Sequence, residues 1–125
     1  TTDAAVFVYL EDVAPDGSVT YVTEGQMRAL HRKIASEPAP TWQAGPYHSF
    51  RRADASLLVP GEPVELAFEL LPTSYVFKAG HRIRIAIAGA DAGHFARVPA
   101  DETQTPVFKV YRDKTRPSRI VLPVR

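Results

Sequence analysis

The stretch Leu70-Leu71-Pro72-Thr73-Ser74-Tyr75-Val76-Phe77-Lys78-Ala79-Gly80-His81-Arg82-Ile83-Arg84-Ile85-Ala86-Ile87 decides the fold class. It reads as the end of one strand, a short step with two aromatics, a tight turn at Lys78-Ala79-Gly80 and a return strand. In the return strand Ile83, Ile85 and Ile87 alternate with Arg82, Arg84, Ala86 and Ala88. That period of two sends alternate side chains to opposite faces and predicts an inward isoleucine face. Gly80 stands where a tight turn needs backbone angles that alanine tolerates poorly. Ser74, Phe77, Gly80, His81, Arg82 and Arg84 mark this hairpin as a structural unit. Arg82 and Arg84 share a face, so they need acids if buried. Glu65 and Glu69 on the preceding run are natural cross-strand partners.

Working outward, residues 64–70 alternate Val64, Leu66, Phe68 and Leu70 against Glu65, Ala67 and Glu69. Residues 4–13 are apolar on both faces at first, which suits a covered strand. Pro15-Asp16-Gly17 then turns the chain into an alternating run over 18–23, giving a hairpin. Residues 106–112 and 118–124 supply two more alternating runs. Residues 26–34 fit two periods. Met27, Leu30 and Ile34 make a helical stripe, while Met27, Ala29 and His31 alternate as a strand. Residues 35–60 are the longest irregular stretch, because Pro38, Pro40 and Pro46 forbid continuous helix and remove sheet donors. Trp42, Tyr47 and Phe50 there predict a loop packed on the body. Eleven prolines cut the chain into short β-type runs, about seven in all. The expected class is all-β.

At 125 residues the chain is expected to be one domain, 1–125. Hydrophobic residues at 45% and charged residues at 23% exclude a disordered chain. A net charge of +1 gives no field that would draw nucleic acid or an anionic membrane. Residues 1–25 hold five acids and no base, and residues 101–125 hold six bases and three acids. Acidic hairpin turns and a basic edge strand account for that split. Zero cysteines exclude disulfides, thiolate metal sites and a cysteine nucleophile, but do not fix the compartment. No apolar run approaches the ~20 residues of a membrane span. Thr1-Thr2-Asp3 is no signal peptide, and Met27 is the only methionine. The chain is therefore expected to be a piece of a longer polypeptide.

Catalytic signals are absent. None of the six serines lies in a Gly-x-Ser-x-Gly frame. His48 and Ser49 are adjacent, so on a strand they would point to opposite faces. His31, His48, His81 and His94 match no zinc spacing, and Asp12 and Asp16 make no calcium loop. No catalytic residue, metal ligand or cofactor is assigned. Tyr47, His48, Phe50, Arg51 and Arg52 form the densest aromatic-basic cluster. Tyr47, His48 and Arg51 are the candidate ligand-binding residues, with loop anchoring as the competing role.

"LLPTSYVFKAGHRIRIAIAGAD" resembles the signature hairpin in the C-terminal domain of the X-Pro dipeptidyl-peptidase/cocaine-esterase (CocE/NonD) hydrolases. "DAAVFVYLEDVAPDGSVTYVTEGQMRA", "PYHSFRRAD", "LVPGEPVEL" and "RPSRIVLPV" agree with it in order, over nearly the whole chain. The resemblance implies a jelly-roll β-sandwich, similar to galactose-binding-like domains, and favours strand over 26–33. It implies Ser-Asp-His hydrolases whose triad lies in an upstream α/β-hydrolase domain; no residue here matches a triad motif. It also implies that one or more leading strands are missing, which would leave residues 4–10 as a bare edge able to pair with another copy. The expected function is thus an accessory, non-catalytic domain that packs on the hydrolase domain and helps shape the active-site region. An independent carbohydrate-binding module is the alternative, and a small self-sufficient enzyme is third.

Overall fold

A computed structural model describes residues 1–40, 42–101, 103 and 105–123. The hairpin at the start of the chain forms as its residues dictate. Strand β1 (Ala5–Val13) runs into a turn at Pro15-Asp16-Gly17, and β2 (Val19–Arg28) returns antiparallel to it. Gly17 takes φ 87°, which few other residues adopt at low cost. Asp16 accepts hydrogen bonds from the Ser18 backbone N–H and hydroxyl, closing the turn. A bulge between Leu10 and Glu11 shifts the register from Leu10↔Thr23 to Glu11↔Tyr21.

The third strand, β3 (Arg82–Ala88), pairs antiparallel with β1, from Phe7↔Ala88 to Val13↔Arg82. The sheet order is β2-β1-β3. Single 3-10 turns lie at Ala29–His31 and Arg52–Asp54, and these are the only helical elements among the described residues. The fold is all-β. Gly80 takes φ 81° and the His81 N–H donates to the Lys78 carbonyl, so the glycine turn before β3 is where the sequence places it.

Several expectations are corrected. Residues 4–10 are not a bare edge: β1 is the middle strand, with β2 along its whole length and β3 from Phe7 onward. The sheet edges belong to β2 and β3. Residues 26–33 are strand only to Arg28, then turn through Ala29–His31. Residues 64–71 do not pair with β3. They flank β2, where the Leu71 N–H donates to the Glu24 carbonyl and Thr23 donates to the Leu71 carbonyl. Arg84 consequently pairs with Glu11, its cross-strand neighbour on β1, rather than with Glu65 or Glu69. Residues 106–112 and 118–123 form no strand beyond an isolated Arg112↔Pro117 bridge, and Val124 lies outside the described residues.

The isoleucine face is also more open than alternation predicts. On that face Leu10, Asp12, Thr23 and Met27 are buried. Ile83, Ile85 and Ile87 remain 52%, 36% and 45% exposed. The covering segments reach β2 and β1, and the cover thins towards β3. On the opposite face Phe7 packs against Phe95, with ring centroids 5.0 Å apart.

The crossover from the flank of β2 to β3 is pinned by one carboxylate. Asp12 on β1 is 3% exposed. It accepts from the Tyr75 hydroxyl at 2.8 Å and from His81 Nδ1 at 2.9 Å. Tyr75 and Phe77 meet edge to face at 5.0 Å, which steadies the donor. Asp12→Ala is expected to destabilise the fold by roughly 1.5–3 kcal/mol for each charged hydrogen bond lost. Glu11→Ala removes only an exposed pair and is expected to cost under about 1 kcal/mol. Denaturant melts giving equal shifts for both would contradict a special role for Asp12.

Candidate functional site

The aromatic-basic loop is built on two strips of backbone. His48 is 4% exposed, with Nδ1 3.0 Å from the Lys33 carbonyl and Nε2 2.8 Å from the Ala67 carbonyl. A carbonyl only accepts, so both contacts are satisfied only when each ring nitrogen carries a hydrogen. Ala35 N–H donates to the Tyr47 carbonyl, and Ser56 N–H donates to the Leu30 carbonyl. His48 thus anchors the loop to residues 33 and 67. Tyr47 is half-buried beside it. Arg51 ion-pairs with Glu37 at 2.8 Å. Of the three candidate ligand residues, His48 is thus held by two carbonyls and Arg51 by Glu37, while the Tyr47 carbonyl accepts from Ala35.

Beyond His48, Ser49 donates to Asp54 at 2.6 Å, and Lys33 ion-pairs with the other Asp54 oxygen. The bonds from Lys33 and Ser49 hold the Asp54 carboxyl below its ordinary range. Between these fixed points Phe50 takes φ 54°. For a bulky residue that left-handed conformation costs on the order of 1–2 kcal/mol. The residue is nevertheless 63% exposed, its ring tilted against His31 at 5.4 Å and His48 at 6.2 Å. Sequence reasoning missed this conformation, because Phe50 is neither Gly nor Asn and no local signal marks it.

A second cluster sits across the sheet. Tyr9 donates to Asp91 at 2.9 Å, and His94 Nδ1 lies 3.1 Å from the other Asp91 oxygen. Partial burial, then the Asp91 bond, push the Tyr9 hydroxyl up to about 12. The bonds from His94 and Tyr9 in turn hold the Asp91 carboxyl below its ordinary range. The structural hairpin divides similarly. His81 is bound to Asp12 and Arg84 to Glu11, Arg82 is exposed, and Gly80 makes the turn. Ser74 and Phe77 lie on the crossover, Ser74 exposed and Phe77 against Tyr75. Among the described residues no serine hydroxyl bonds to a histidine; Ser49 bonds to Asp54 instead. The geometry is that of posts and braces.

Two outcomes test this. His48→Ala orphans two carbonyls and is expected to cost roughly 1–3 kcal/mol for each, read by denaturant melts; a neutral change would remove His48 as anchor. Tyr9 has its folded value raised above the ordinary 10.0 to about 12. Its contribution is therefore full below pH 10 and is lost as pH rises through 12. Alkaline melts of Tyr9→Phe should lack that loss; an unchanged profile would contradict it.

The comparisons agree with a non-catalytic domain. Residues 1–121 match the model of the X-Pro dipeptidyl-peptidase C-terminal non-catalytic domain. The chain is 56% identical over 124 residues to "Putative serine esterase" proteins of Mycobacterium bovis and Mycobacterium tuberculosis, covering 99% of this chain and 19% of each relative. It is 30% identical over 125 residues to a cocaine esterase of a Rhodococcus species, covering 92% of this chain and 19% of the relative. The chain therefore spans about a fifth of the length of the curated relatives it matches. No solved structure matches it. The chain belongs to the X-Pro dipeptidyl-peptidase C-terminal, non-catalytic domain family.

Proposed function

We propose that residues 1–125 are one accessory β-sandwich domain, of jelly-roll type, in a serine hydrolase of the X-Pro dipeptidyl-peptidase/cocaine-esterase type. The domain packs on an α/β-hydrolase domain of the same polypeptide and helps shape the active-site region. The hydrolase domain carries the nucleophile and acts on an ester or amide bond. The names and lengths of the relatives support this reading.

The observation that carries it is exposed surface. The chain exposes 9434 Å², whereas a folded monomer of its 13.8 kDa exposes about 6,600 Å². The difference, about 2,800 Å², exceeds the roughly 800 Å² that one partner contributes to a standard interface. Ile83, Ile85 and Ile87 are part of that excess, on a strand with an open edge. A contiguous apolar surface of this kind is stable when covered. In the isolated chain the edge of β3, rather than β1, is the one available for pairing with another copy.

The test compares the full-length polypeptide, the same polypeptide lacking residues 1–125, and this chain alone. The full-length protein is expected to turn over a nitrophenyl ester, and this chain alone to turn over none. Removing residues 1–125 is expected to shorten the half-life of activity on heating. Serine-dependent turnover by this chain alone, or an equally long-lived truncated enzyme, would overturn the reading.

A further inference from the structure

Phe50 poses a problem that the chain does not solve internally. A bulky side chain in the left-handed region is a genuine outlier. Such strain persists where the surroundings impose it, and it clusters at functional sites. Usually the ring of a strained aromatic is buried, and burial offsets the strain. Here the residue is 63% exposed.

The surroundings hold Phe50 outward. His48 on one side is fixed by two carbonyls. Ser49 and Lys33 converge on Asp54 on the other. Arg51 is drawn back to Glu37, and Arg32 bonds the Ser56 hydroxyl. The Phe50 ring is met by the rings of His31 at 5.4 Å and His48 at 6.2 Å, and His31 Nδ1 is buried without a partner. Two residues further along the chain Arg52 is exposed and has no ion pair among the described residues. An exposed aromatic two residues from an exposed arginine is the composition of an interface anchor.

We propose that Phe50 is the anchor by which this domain docks on the hydrolase domain of the same polypeptide. The partner surface is an apolar pocket sized for a phenyl ring, with a carboxylate at its rim for Arg52. This rests on the accessory-domain reading above. The surface excess over a folded monomer supplies the area such docking needs. Docking buries the ring and so offsets the strain at residue 50.

The experiment uses the full-length polypeptide with Phe50→Gly and Phe50→Asn. Both residues accept positive φ, so each relieves the strain while removing the ring. Strain relief alone predicts a longer half-life of activity on heating. An anchor predicts the opposite sign: inactivation about tenfold faster, with quicker protease cleavage between the two domains. Arg52→Glu should move both readouts the same way by a smaller factor. Unchanged or slower inactivation in both Phe50 variants overturns the proposal. So does a drop in oligomeric mass at unchanged cleavage, which would make a second copy the occupant. If removing residues 1–125 shortens the half-life and the Phe50 variants do not, only the anchor falls. If neither change matters, the accessory-domain reading falls with it.

Discussion

One buried carboxylate holds the architecture together. Asp12 sits inside β1, the strand shared by both neighbours, where an unpaired charge would be costly. Tyr75 and His81 satisfy it, and they lie 63 and 69 residues further along the chain. Their bonds fix the end of the crossover and the start of β3 in one step. The register Asp12↔Ile83 follows directly, and with it the pairing of Glu11 with Arg84. The carboxylate thus adds a directional link to a pairing that the backbone ladder and the Glu11–Arg84 pair also hold.

The same economy runs through the rest of the molecule. The apolar core is small, with Phe7, Leu10, Val13 and Met27 as its larger members. Segments without regular structure are held by polar posts instead: His48 between two carbonyls, Asp54 between Ser49 and Lys33, Asp91 between Tyr9 and His94. Such posts are directional, so they set geometry more sharply than they add stability. The polar groups thus keep fixed positions around a modest apolar core.

What the residues disclose in advance follows from what a periodic pattern encodes. Alternation marks β1, the first part of β2, and β3 as strands, and Gly17 and Gly80 mark their turns. Alternation says which face a side chain takes and nothing about which strand lies beside it. Hence Glu65 and Glu69 look like partners for Arg84, when the partner is Glu11. The inward isoleucines are likewise a statement about a face, and here that face is only partly covered by this chain. Asp12 offered a usable signal: a carboxylate late in an apolar strand needs distant donors. Phe50 offered none, since a phenylalanine is not a residue type that marks a positive φ. The aromatic loop was legible as an anchored loop, while the outward aim of its phenyl ring was not.

The pairing of β3 with β1 also orders events in time. β1 and β2 are joined by a short turn and meet early, with Val13 opposite Val19. β3 must close a loop of about seventy residues first, since Glu11 and Arg84 are 73 apart. Contacts that distant slow the search for the native sheet. Until residue 82 and its successors arrive, one side of β1 offers Phe7, Val8, Tyr9 and Leu10 with unpaired backbone. The vulnerable edge absent from the finished sheet is therefore real on the ribosome, and it persists for as long as the chain between β2 and β3 is being made.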